Sequence, residues 1–156
     1  MGLKIRLRPN ERMIVNGCVV TNGDRRNTIT VSSFGQVIRS NDILQADEAT
    51  TPLRRLYFCI QTMLIDANKA EEYMTSVNKL SVSIYHLLES EEERADLMEA
   101  MNHLHRRDFY KALRTLRNRL KSDETCDDAI ESFETDDVIL SGARAFEDRV
   151  AQDAAN

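Results

Sequence analysis

Met13-Ile14-Val15-Asn16-Gly17-Cys18-Val19-Val20-Thr21-Asn22-Gly23-Asp24 decides how the first third of this 156-residue chain is read. Two short runs rich in β-branched residues flank Asn16-Gly17. That dipeptide readily supplies the two positive-φ positions of a type I′ hairpin turn. Asn22-Gly23-Asp24 repeats the signal, so another turn follows the second of these strands. Upstream, Leu3, Ile5 and Leu7 alternate with Lys4, Arg6 and Arg8, the period-two pattern of a strand with one buried face. Pro9-Asn10 ends it. Downstream, residues 28–32 and 36–39 form two more short segments. The expectation is a small antiparallel sheet of about five strands.

Glycine and proline mark where this pattern stops. Four of the five glycines fall within the first 35 residues, and after Pro52 neither residue type recurs until Gly142. Both are poor in helix interiors, so the long interval admits helices. Thr51-Pro52 is a capping hydroxyl followed by proline at the first helical position. Leu53, Leu56, Ile60 and Met63 then share a face. Asn68 with Glu71 resembles a capping box, and the helix that follows carries Tyr73, Val77, Leu80, Ile84 and Leu87 at alternating spacings of four and three. Ser90 with Glu93 opens a third helix through Leu97, Met101 and Leu104. Asp108 opens a fourth through Phe109, Leu113, Leu116 and Leu120. Short joints between them imply an antiparallel helical hairpin or bundle.

The chain therefore reads as α+β: a β-module over residues 1–46, a helical bundle over 47–121, and an acidic tail over 122–156. Residues 122–137 hold eight acidic side chains and no basic one, the composition of a solvated linker. Ile139, Ala143, Phe146 and Val150 then line one face of a short amphipathic helix. That stripe is too narrow to form its own core. It is a candidate partner-binding face, covered by the body of the chain, a second copy (hence a homodimer) or another protein.

Composition excludes several classes. With 42% hydrophobic and 30% charged residues the chain is an ordinary folded one, and no apolar run is long enough to span a bilayer. The cation-rich start lacks a signal-peptide core, so a cytoplasmic location without membrane contact is expected. Cys18, Cys59 and Cys126 form no C-x-x-C pair, and buried free thiols are the expectation. His103 and His105 stand two apart, on nearly opposite helix faces, which is unsuited to a shared metal. Glu91-Glu92-Glu93 suits the dipole of a helix start better than acid–base work. With no nucleophile elbow and no phosphate-binding glycine loop, no enzyme, cofactor or metal is expected.

Charge is distributed unevenly beneath a net value of −5. Residues 1–39 carry seven basic and two acidic side chains, residues 102–121 seven and one, and residues 122–156 two and eleven. Lys4, Arg6, Arg8, Arg25, Arg26 and Arg39 make a strip of cations on the β-module, the first candidate RNA-binding surface. Arg107, Lys111, Arg114 and Lys121 fall opposite the apolar stripe of the fourth helix at 100° per residue and make a secondary basic face. Aromatic interleaving is sparse, since Phe34 is the sole aromatic residue before Tyr57.

Several blocks point further. They are Asn16-Gly17, Asn22-Gly23-Asp24-Arg25-Arg26, Asp42-Ile43-Leu44-Gln45, Ala49-Thr50-Thr51-Pro52-Leu53-Arg54-Arg55-Leu56-Tyr57-Phe58, Gln61, and Asp108-Phe109-Tyr110-Lys111-Ala112-Leu113. Over roughly residues 3–121 the chain resembles the FlbT family of flagellar regulators of alphaproteobacteria. The resemblance implies post-transcriptional control of flagellin synthesis. Family members are associated with the 5′ untranslated leader of flagellin mRNA and with its degradation, although some relatives act positively. It also implies a partnership with the small flagellar protein FlaF. The alternative expectation is a protein-interaction module that holds FlaF or flagellin and does not touch RNA itself. No catalytic residues carry over.

Overall fold

The computed structural model describes residues 2–123, which divide into two compact units, residues 2–43 and 44–123. The acidic linker, the Ile139/Ala143/Phe146/Val150 face and Cys126 lie outside the described residues. The architecture is α+β, with antiparallel strands first and four helices after them.

The first unit contains β1 (Leu3–Leu7), β2 (Arg12–Val15), β3 (Cys18–Thr21), β4 (Asn27–Val31) and β5 (Val37–Ile38). The expected single sheet is two: β1 pairs with β4, and β3-β2-β5 form a three-stranded sheet. The reason is local. Pro9 lacks an amide proton, Asn10 adopts φ 59°, and Glu11 N–H bonds back to Arg8 C=O at 3.1 Å. That tight reversal directs β2 away from β1, leaving the edge of β1 to β4. Asn16 and Gly17, at φ 49° and 80°, make the expected two-residue hairpin between β2 and β3. The Asn16 carboxamide oxygen also accepts the Gln36 N–H at 2.8 Å, anchoring the approach to β5. Ile5, Leu7 and Met13 form a core shared by both sheets, joined by Val15, Val20, Ile29, Val31 and Val37.

The second unit contains α1 (Pro52–Ile65), α2 (Ala70–Leu87), α3 (Glu91–His105) and α4 (Phe109–Leu120). Thr51 caps α1, accepting Arg54 N–H at 3.3 Å, and Ser90 with Glu93 makes the capping box of α3. The cap expected at Asn68 is displaced. Asp66 instead accepts the Asn68 N–H, and a short 3-10 turn, Ala67–Lys69, leads into α2 without a side-chain cap. α1 is flanked by α2 and α4, so it buries eleven residues rather than the single stripe expected from its spacing. Among them Gln61 is satisfied: its amide donates to Leu44 C=O at 2.8 Å and its oxygen accepts Leu44 N–H at 2.9 Å. α3 lies against α4, completing the bundle.

Cys59 is buried in α1, where loss of water pushes its thiol up to about 12. Cys18 is exposed, contrary to the expectation of buried thiols: it stands opposite Val15 at the hairpin end of β3, directly after the Asn16-Gly17 turn. Among the described residues no helix is long and apolar enough to cross a membrane, and no cluster of His, Cys, Asp or Glu is arranged to hold a metal ion.

Candidate nucleic-acid interface

Strand register builds the first surface. Lys4 stands opposite Thr30 and Arg6 opposite Thr28, while Ile5 stands opposite Ile29. Opposed residues in an antiparallel pair share a face, so one face carries two cations and two threonines while the other packs into the core. Leu7 pairs with Asn27, so the chain passes into Arg8 at the same end of the ribbon from which Arg26 enters β4. Lys4, Arg6, Arg8, Arg25, Arg26 and Arg39 are all exposed. None of the six forms an ion pair with another of the described residues.

Asn22 shapes the loop end of this surface. Its side chain is buried, with 8% exposure. The amide nitrogen donates to Arg8 C=O at 2.6 Å and Arg25 C=O at 2.7 Å, and the oxygen accepts from the Asn27 amide at 2.9 Å. The Asn22 backbone N–H meanwhile bonds Glu11 C=O at 2.8 Å. One side chain thus ties the backbones of two arginine-bearing loops to each other and to the start of β4.

Glu11 sits in the same place. Its carboxylate accepts Arg8 N–H at 2.6 Å and the Ser40 hydroxyl at 2.5 Å. The Arg8 amide, then the Ser40 hydroxyl, hold its carboxyl below the usual glutamate range, and the charges of Arg8 and Arg39 act in the same sense. An open polar cleft of about 650 Å³ lies here, lined by Arg6, Arg8, Glu11, Arg26, Thr28 and Ser40 among others.

The secondary basic face is differently placed. Arg107 lies in the turn between α3 and α4 at φ 62°, not on α4, and is ion-paired with Glu71. Lys111 pairs with Asp108 at 3.0 Å. Burial raises the Asp108 carboxyl, but hydrogen bonds from the Lys111 side chain and backbone more than offset this, and it lies below its usual range. Arg114 is exposed beside Glu92, Asp96 and Glu99 of α3, and Lys121 is exposed at the end of α4. Arg119 pairs with Asp96 at 2.6 Å and Glu92 at 3.0 Å, which raises its pKa, the Asp96 hydrogen bond first. A phosphate approaching α4 therefore meets Glu92, Asp96 and Glu99, whereas the β-module cleft is lined by Arg6, Arg8 and Arg26 with Glu11 as its one carboxylate. The structure brings Arg6, Arg8 and Arg26 of the first candidate set into one cleft, and it pairs Arg107 and Lys111 of the second with carboxylates.

Glu11, Ser40 and the role of Asn22 are marked by no motif in the sequence. Asn22 was visible only as a turn residue, since an asparagine before glycine looks alike whether its amide faces water or three carbonyl groups. Glu11 carried a weak signal as one of two acids among seven cations in residues 1–39.

A family model described as "Flagellar protein FlbT" matches residues 3–126. The chain is 35% identical over 125 residues to "Probable flagellum biosynthesis repressor protein FlbT" of Caulobacter sp. (strain K31), covering 80% of this chain and 95% of that protein. It is 32% identical over 124 residues to "Flagellum biosynthesis repressor protein FlbT" of Caulobacter vibrioides (strain ATCC 19089 / CIP 103742 / CB 15), covering 80% and 88%. The "Probable flagellum biosynthesis repressor protein FlbT" of Mesorhizobium japonicum is 36% identical over 121 residues, covering 74% and 78%. No solved structure matches. The matched span takes in both the strand unit and all four helices, and the chain belongs to the FlbT family.

Proposed function

We propose that this chain regulates flagellum synthesis after transcription by binding RNA, without catalysis of its own. The carrying observation is the cluster of Lys4, Arg6, Arg8, Arg25, Arg26 and Arg39, exposed and without ion-pair partners among the described residues. Cations in such a cluster gain most by meeting a polyanion, since each phosphate contact releases counterions. The repressor names of the relatives supply the flagellar context. The family resemblance points to the 5′ untranslated leader of flagellin mRNA as the ligand, with limited translation and transcript degradation by cellular nucleases as the output.

Replacing Arg6, Arg8, Arg25 and Arg26 together by Glu tests the reading. The expected result is loss of leader binding in an electrophoretic shift assay, with unchanged helical circular dichroism. Full binding by the folded variant refutes it.

A second reading has its own observation. Val82, Tyr85 and Met98 are large, apolar and exposed, and with Leu97 and Met101 they line an open groove of about 310 Å³ on α2 and α3. Such a surface suits an apolar protein contact, with FlaF or flagellin as the partner implied by the resemblance. A salt series separates the two: binding through phosphates weakens steeply as salt rises, and binding through the groove barely responds.

A further inference from the structure

The cleft at the loop end of β1 and β4 holds one group that phosphate binding does not explain: a carboxylate among guanidinium groups. Glu11 would repel a phosphodiester if it faced one. Each of its oxygens takes one internal donor, from Arg8 N–H and from the Ser40 hydroxyl. A carboxylate offers about four lone-pair sites, so sites remain for a ligand. Arg6 and Arg26 line the same cleft. The fitting ligand has adjacent N–H donors on one edge, acceptors on another and phosphate beside them. Among RNA bases only guanine pairs N1–H and N2–H donors on its Watson–Crick edge. Its O6 and N7 acceptors form the edge that arginine reads in bidentate fashion. Adenine and cytosine put a bare acceptor at the corresponding ring nitrogen, and uracil has one N–H between two carbonyls. The volume of about 650 Å³ lies within the range of roughly 300–1,000 Å³ common for ligand pockets, which leaves room for a base with its phosphate.

We propose that this cleft is a guanine-selective subsite for single-stranded RNA, in which Glu11 reads the N1–H and N2–H donors of the base. The inference rests on the RNA-binding reading above and adds the base that it recognises. Unpaired bases splayed from a loop can present that edge, which a duplex hides. Arg6 and Arg26 supply the guanidinium side of the site, and Ser40 holds the Glu11 carboxylate in place as a positioning residue.

The test uses fluorescein-labelled oligouridine with a single central guanosine, inosine or adenosine, titrated with the full chain. Inosine lacks only the N2 amino group, so the series isolates the proposed contact without altering the protein. Guanosine is expected to bind about tenfold tighter than adenosine, with inosine between them. The preference should vanish in Glu11→Gln and shrink without vanishing in Ser40→Ala, which keeps the carboxylate but loses the hydroxyl that holds it. Equal binding of the three oligonucleotides by the unaltered chain overturns the subsite and leaves the RNA-binding reading intact. A preference retained in a folded Glu11→Gln variant does the same. Absence of binding to every oligonucleotide and to the leader refutes the RNA-binding reading and the subsite with it.

Discussion

Asn22 concentrates several obligations in one side chain. Its amide serves carbonyl groups from the loops after β1 and before β4, and its oxygen receives the Asn27 amide. Leucine at this position has a similar bulk and none of the hydrogen bonds. Asn22→Leu is therefore expected to lower stability by about 2 kcal/mol, the cost of leaving buried carbonyls unmatched, as measured by urea unfolding. The same variant should weaken RNA binding, because the Arg8 and Arg25 backbones lose their common tether. Charge at a single residue likewise decides between the two basic surfaces. Lys111 and Arg107 spend their charge on Asp108 and Glu71, whereas Lys4, Arg6, Arg8, Arg25, Arg26 and Arg39 form no ion pair among the described residues.

At the scale of elements, the bundle depends on how α4 and α2 enclose α1. Leu113 on α4 is completely buried. Leu113→Ala is expected to cost about 3 kcal/mol through lost burial and a residual cavity, read from the same unfolding transition. Much of this layer was legible. Asn16-Gly17 announced its hairpin, Thr51-Pro52 and Ser90/Glu93 their helix starts, and Tyr73 through Ile84 their buried stripe, because each signal depends on residues close in sequence. What was not legible depends on distant neighbours. α1 is buried on several sides because two helices flank it, and no local periodicity encodes that. β1 pairs with β4 because of a reversal at Pro9-Asn10, a choice that alternation in β1 leaves open. The candidate site divides the same way: its cations were readable as a list, but Glu11 and Ser40 join it through a contact spanning 29 positions.

For the molecule as a whole, sign of charge is sorted along the chain. Basic residues dominate residues 1–39 and acidic residues dominate 122–156. A tethered polyanion competes with RNA for the same cations at high effective concentration. Removal of residues 124–156 is expected to tighten leader binding and steepen its dependence on salt, measured by fluorescence anisotropy across a salt series. Equal affinity with and without those residues would show that the acid-rich stretch does not reach the cationic surface. The expectation holds for the RNA-binding reading alone, since a groove of Val82, Tyr85 and Met98 has no charge for the stretch to mask.

The Asn22-Gly23 pair also gives the fold a chemical lifetime. Glycine leaves its amide nitrogen unhindered to attack the preceding carboxamide, so asparagine before glycine is prone to succinimide formation and hydrolysis to aspartate or isoaspartate. While Asn22 is held in its hydrogen bonds the carboxamide is restrained, and each local opening of the loops releases it. A deamidated copy carries an anion where Arg8 and Arg25 carbonyls need a donor. Aged preparations are thus expected to keep their helical spectrum while their RNA-competent fraction declines, in step with a one-dalton mass gain that peptide fragmentation places at Asn22 and not at Asn16.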